Sequence, residues 1–229
     1  MSIGTGKTEL ENGIKLFRNE NYQEAIDSLE KTFENKNDIE SGYHLALAYA
    51  QIQNYDKTLE TFDKIMRRLD NPLRIMQAHI IVGYIYAIKE MYDLAEFELL
   101  DALASGIENT QIHSVLGYIY YKKNNTRKAI DSLRKAVAMD SQSANARNSL
   151  GFILADSGIN IEEGISEIKK ALNMDPKNPA YLDSLGWAFF KKNDIANAKE
   201  FLTKAFEIAP TNKDIKEHLI KLDQFGYKK

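Results

Sequence analysis

The 229-residue chain has no cysteine, so a disulfide scaffold, a cysteine-held zinc, an iron–sulfur cluster and a thiol nucleophile are all excluded. Proline and glycine are scarce, at 4 and 12 residues. That leaves little turn material for a many-stranded sheet, and the alternating apolar and polar runs that mark strands are missing as well. No segment approaches the roughly 18 consecutive apolar residues of a membrane span. The opening MSIGTGKTELENGIKLF also lacks an apolar run of signal-peptide length, so a cytoplasmic protein without a membrane partner is the expectation. An excess of positive charge is lacking too: 30 Lys and Arg face 33 Asp and Glu, which argues against a nucleic-acid partner.

What is present reads as helix. Apolar residues make up 44% of the chain and charged residues 28%, the balance of a folded protein. The clearest stretch runs from Asn178 to Pro210. Asn178 is placed to cap a helix, and Pro179 suits the first turn, where its missing N–H costs nothing. Leu182, Leu185, Gly186 and Phe189 follow at spacings of three and four, one apolar stripe. A turn at Lys192-Asn193-Asp194 leads into a second stripe, Ala198, Phe201, Leu202, Ala205 and Phe206, and Pro210 marks its exit. Gly186 and Ala198 are small where the two helices must approach closely. Such a hairpin cannot bury both of its faces alone, so it needs neighbours.

The chain supplies them. A small residue followed three positions later by an aromatic or leucine occurs at Gly13/Leu16, Ala46/Tyr49, Gly83/Tyr86, Gly117/Tyr120, Gly151/Leu154 and Gly186/Phe189. Their first members are 33, 37, 34, 34 and 35 residues apart. A second small residue follows at Ala25, Ala95, Ala129 and Ala198; Thr58 fills the slot in the second copy. In the fifth it falls on Gly164, one residue late, which puts an insertion in the Gly158–Ile161 turn. This pattern resembles the tetratricopeptide repeat, W-x2-L-G-x2-Y, then A-x3-F, then P, at a period of about 34. The fourth and sixth copies fit best, with Leu116-Gly117-Tyr120 and Leu185-Gly186-Phe189. No copy has the signature tryptophan in its usual slot; Glu9, Gly42, His79, His113, Arg147 and Leu182 stand there.

The resemblance implies an all-α fold, a right-handed α-solenoid of six helix hairpins forming one domain over residues 1–229. The hairpins are expected at about 6–38, 39–71, 76–109, 110–143, 144–178 and 179–210. The extra residues between Met66 and Ile75 predict an irregularity there. A capping helix follows at 211–225, with Thr211 and Asp214 as a capping box. Its Ile215, Leu219 and Leu222 are expected to face inward, and Lys213, Lys216, Glu217 and Lys221 outward.

The resemblance also implies that the first helix of each pair lines a concave groove. The family's ninth groove position falls on Ile14, Leu47, Tyr84, Tyr118, Phe152 and Trp187, and its twelfth on Phe17, Ala50, Ala87, Tyr121, Ala155 and Phe190. Aromatic rings bury much area at small entropic cost, and polar neighbours fix register. The expected contact surface is Tyr84, Tyr118, Tyr121, Lys122, Asn145, Asn148, Phe152, Asp183, Trp187, Phe190 and Lys191, suited to an extended or helical peptide of a protein partner. Shielding of this row inside a tightly wound superhelix is the opposing reading. The function expected is a non-catalytic protein–protein interaction scaffold, monomeric or weakly homo-oligomeric; the alternative is a self-associating structural subunit. No ninth position holds asparagine, so the carboxylate clamp of chaperone-binding repeats is not expected. Charge is uneven, with a net of −8 over residues 1–109 and +5 over 110–229.

Chemistry is harder to assemble. Gly6-Lys7-Thr8 has neither the upstream glycine nor the preceding strand that a phosphate loop needs. His44, His79, His113 and His218 make no ligand pair at metal-binding spacing, and His79 and His113 share a slot that packs inside its own hairpin. No Ser/His/Asp grouping emerges. Lys122-Lys123, Lys169-Lys170 and Lys191-Lys192 are expected to close helices, where cations meet the negative end of the dipole. No catalytic residue, metal or cofactor is therefore expected.

Overall fold

The computed structural model describes residues 3–104, 106 and 108–226. Met1 and Ser2 ahead of the GKT segment, and the tail residues 227–229, lie outside them. The described residues form thirteen α-helices and one short 3-10 turn, with no strand. They fall into two compact units, residues 1–107 and 108–229. The first unit holds α1 (Ile3–Arg18), α2 (Tyr22–Lys36), α3 (Ile39–Gln51), α4 (Tyr55–Ile65), α5 (Pro72–Ile88) and α6 (Tyr92–Ala104). The second holds α7 (Thr110–Lys122), α8 (Thr126–Met139), α9 (Ala144–Asp156), α10 (Ile161–Met174), α11 (Pro179–Lys191), α12 (Ile195–Ile208) and α13 (Lys213–Gly226).

The turns inside the pairs share one backbone device. Glu20, Gln53, Glu90, Asn124 and Asn193 all adopt left-handed φ, between 58° and 65°. A cap residue comes next: Asn54, Asn125 and Asp194 accept the N–H of Lys57, Lys128 and Asn197. In the fifth pair Gly158 takes the left-handed position at φ 71°, and Ile159 is the inserted residue ahead of the Asn160 cap. The first helices are capped likewise by Asp38, Asn71, Asn109, Ser143 and Asn178.

Two boundaries differ from the sequence reading, both because an asparagine side chain captures nearby N–H groups. The helix α5 starts at Pro72, ahead of the expected 76, since Asn71 accepts from Leu73 and Arg74 and proline fits the first turn. At α13 the cap is Asn212, accepting from Asp214 at 2.9 Å and Ile215 at 3.2 Å, and not Thr211. Asparagine is the stronger cap. The irregularity after Met66 is the 3-10 turn Met66–Arg68.

Four pairs set a glycine of the first helix against a leucine of the second, and in the fifth pair two glycines meet. A methyl group built on Gly117 would lie 2.5 Å from Leu133 Cγ, and one on Gly151 would lie 2.5 Å from the Gly164 carbonyl oxygen. In the missing tryptophan's slot the chain uses several solutions. His79 on α5 meets Glu98 at 2.7 Å and Asp101 at 3.3 Å on α6. Arg147 on α9 pairs with Glu167 on α10, and Leu182 joins the apolar cluster of Ala205 and Ile215. His113 is buried and bonded to Glu108. Of the basic pairs, Lys122 and Lys191 do close their helices. Lys169 and Lys170 stand within α10 instead, one over the Phe189 ring and the other paired with Glu167.

Candidate functional site

The second unit presents the first helices of its pairs, α7, α9 and α11, together with α13. Spacings of three and four put Tyr118, Tyr121 and Lys122 on one side of α7, and Asn148, Phe152 and Asp156 on one side of α9. On α11 the same spacing aligns Asp183, Trp187 and Lys191.

Asp156 ties these helices together. It accepts from Tyr121 Oη at 2.6 Å and Trp187 Nε1 at 2.8 Å, with Lys191 Nζ at 3.5 Å. Burial opposes its charge, but the hydrogen bonds and Lys191 outweigh it and hold the carboxyl below its ordinary pKa. Burial, then the bond to Asp156, push the Tyr121 phenol up, so that it stays a neutral donor. On the other side His218 of α13 lies 2.9 Å from both carboxylate oxygens of Asp183. Since a carboxylate only accepts, Nδ1 carries the proton. The His218 ring stacks on Trp187 with centroids 4.2 Å apart, and lies tilted 6.3 Å from Phe152.

Between these groups lies a pocket of about 370 Å³. Tyr118, Tyr121, Lys122, Asn148 and Phe152 form one wall, and Asp183, Asp214, Glu217 and His218 the other. Tyr118 is 44% exposed, with Lys122 over its ring at 5.6 Å. The buried Oδ1 of Asn148 has no hydrogen-bond partner. Among the described residues no group of three His, Asp or Glu side chains could hold a metal ion, and no helix is long and apolar enough to cross a membrane.

Comparison with known proteins adds to this geometry. Family models for TPR and tetratricopeptide repeats match residues 40–69, 117–158 and 180–212. The chain carries tetratricopeptide repeats over these stretches. A TPR repeat-containing protein of Pseudomonas aeruginosa is 34% identical over 80 residues, which are 35% of this chain. The chain covers only 13% of that relative's length. Among solved structures, YrrB, a TPR protein with an unusual peptide-binding site, matches at TM-score 0.61 and 25% identity over 82% of this chain and 96% of YrrB. PilF of Pseudomonas aeruginosa matches at TM-score 0.74 and 13% identity over 94% of this chain and 97% of its own, a likeness of fold alone. Tetratricopeptide repeats are interaction modules, typically without catalysis.

Of the residues read from the sequence, Tyr118, Tyr121, Lys122, Asn148, Phe152 and Asp183 line the pocket together. Trp187 stands apart from the expectation of an open contact: it is 8% exposed, because His218 covers one face and Asp156 holds its N–H. Asp183 is buried as well, turned to His218. Phe190 lies against Trp187, and Lys191 and Lys221 sit over the Trp187 ring. Asn145 is bonded to Tyr181 Oη and is not among the lining residues. Tyr84 belongs to α5 in the first unit, where it is exposed. Ile215 and Leu222 are buried as expected, but α13 does more than cover an apolar end, since its Glu217 borders the pocket. Asp156 and His218 went unread. Asp156 follows Phe152 by four residues, which was a usable signal; nothing near His218 in sequence pointed to Trp187.

Proposed function

We propose that this repeat protein is an interaction scaffold that seats a peptide or short helical segment of a partner protein in the α7–α9–α11–α13 pocket of its second unit. The observation that carries the proposal is the pocket's lining: an exposed Tyr118 and a half-buried Phe152 beside an Asn148 amide oxygen that lacks a donor. The rings would take up an apolar side chain of the incoming segment, with the polar groups of Lys122 and Asn148 at its edge. His218 lines the pocket and is held in place by its bond to Asp183 and its stacking on Trp187. The likeness to YrrB, which has a peptide-binding site of its own, supports the same use.

Peptides selected from a displayed library against the whole chain provide the ligand, and fluorescence anisotropy the affinity. Tyr118→Ala and Phe152→Ala are each expected to weaken binding by roughly tenfold or more, as hot-spot truncations do. Tyr84→Ala, in the other unit, should leave it unchanged. If the two pocket variants bind as wild type, the assignment fails. Trp187→Ala is unsuited to this test, because removing a buried ring perturbs packing. The single Trp187 serves better as a native fluorophore whose stacking on His218 reports occupancy.

A further inference from the structure

The outward side of α6 differs from its five counterparts. One residue before the buried small position, the other second helices carry Glu24, Lys57, Lys128, Glu163 and Asn197, where α6 has Leu94. Two residues after it they carry Asp27, Glu60, Asp131, Ser166 and Glu200, where α6 has Phe97. Five after it stand Glu30, Asp63, Arg134, Lys169 and Thr203, where α6 has Leu100. The cap position, asparagine or aspartate in the other five, is Met91.

These positions face solvent. Their polar counterparts are exposed or half-exposed throughout, and in α6 Met91, Leu94 and Leu100 are each 44% exposed and Phe97 64%. Leu94, Phe97 and Leu100 make one stripe along about 9 Å of helix, with Met91 just ahead of its first turn. The opposite side, Ala95, Leu99 and Ala102, is fully buried, so α6 is apolar on both sides. A contiguous apolar stripe of this kind in place of charged residues marks an interaction surface.

Charge selects the occupant. The helix carries Asp93, Glu96, Glu98 and Asp101 and no lysine or arginine, and the chain has neither from Glu90 to Tyr121. Two copies meeting through α6 would set Asp93 and Glu96 of one against those of the other, with Glu98 and Asp101 already turned to His79. An anionic membrane surface would be repelled by the same charges. We propose that the Leu94–Phe97–Leu100 stripe docks an amphipathic helix of a partner protein whose apolar side is flanked by lysine or arginine. This surface uses none of the pocket residues.

The probe is a helical peptide of about 18 residues built from leucine and lysine, with a leucine–glutamate counterpart of the same apolar pattern. The whole chain is compared with Leu94→Gln/Phe97→Gln/Leu100→Gln, which leaves charge unchanged. A second variant, Leu94→Lys/Phe97→Asp/Leu100→Arg, installs residues the fourth pair already tolerates; circular dichroism checks that both fold. The lysine peptide is expected to bind wild type roughly tenfold or more tighter than either variant, and the glutamate peptide not at all. Equal binding to wild type and the glutamine variant would overturn the proposal. So would equal binding of both peptides, a wild-type dimer in sedimentation that the glutamine variant loses, or vesicle binding lost in the same way.

Discussion

One carboxylate, Asp156, holds a phenol from α7 and an indole N–H from α11, and both donors lose their acceptor if it is removed. Asp156→Ala is therefore expected to destabilise the chain by about 2–3 kcal/mol, the cost of leaving buried donors unpaired. Asp156→Asn should cost less, since its amide oxygen still accepts. Urea unfolding followed by Trp187 emission measures both, and equal stability of the alanine variant would show that the site is wet. A second residue-scale test concerns His79. Its bond to Glu98 raises its pKa above the ordinary 6.5, against the effect of burial. The pair's stabilisation is then fully present below 6.5 and fades as the pH climbs through the higher folded value. His44 shifts the other way, lowered by burial despite Glu40, so total stability blends the two. The expected result is read as a difference: His79→Gln loses most relative to wild type below 6.5, and the gap narrows toward alkaline pH.

At the scale of the element, the packing of α9 on α10 is tighter in kind than that of α5 on α6. A methyl on Gly151 would meet the backbone of α10 at the Gly164 oxygen, whereas one on Gly83 meets Leu99 Cγ at 2.9 Å and Ala95 O at 3.3 Å. A side chain can rotate away; a helix backbone must shift. Gly151→Ala is expected to cost about 3 kcal/mol and Gly83→Ala about 1, the two ends of the usual overpacking range. Calorimetry on both variants decides, and equal losses would mean that α10 yields as readily as a leucine. The helix α6 offers the opposite change. Met91→Asn supplies the cap that its counterparts have and should add about 1 kcal/mol, provided nothing covers the residue in solution. The pairs themselves were legible because small residues recur at a fixed period, and each of those positions is forced by helix-to-helix approach. The starts of α5 and α13 were not, since capping depends on which nearby asparagine points back at the chain. The pocket was half legible. Tyr118, Tyr121 and Phe152 follow from register, while the enclosure of Trp187 depends on His218, 31 residues on, and no local pattern encodes that meeting.

At the scale of the molecule, separate apolar clusters rather than one period set how stability is shared. Phe62, Ile65 and Leu29 belong to a cluster within residues 1–107, and Ile168, Leu185 and Leu202 to another within 108–229. In repeat proteins stability is close to a sum of local terms between neighbours, and amide exchange reports it region by region. Gly151→Ala damages only contacts of the second cluster. Its effect is expected to fall on amides in 108–229, with exchange there accelerated roughly a hundredfold for a loss near 3 kcal/mol, while amides of α3 and α4 keep their wild-type protection. Ile65→Ala should do the reverse, exposing α3 and α4 and sparing α11 and α12. Hydrogen exchange read by mass spectrometry on the whole chain carries out both halves of the comparison. Uniform acceleration across both halves in either variant would mean that the repeats unfold as one cooperative body, the single-domain behaviour that the repeat pattern alone implies.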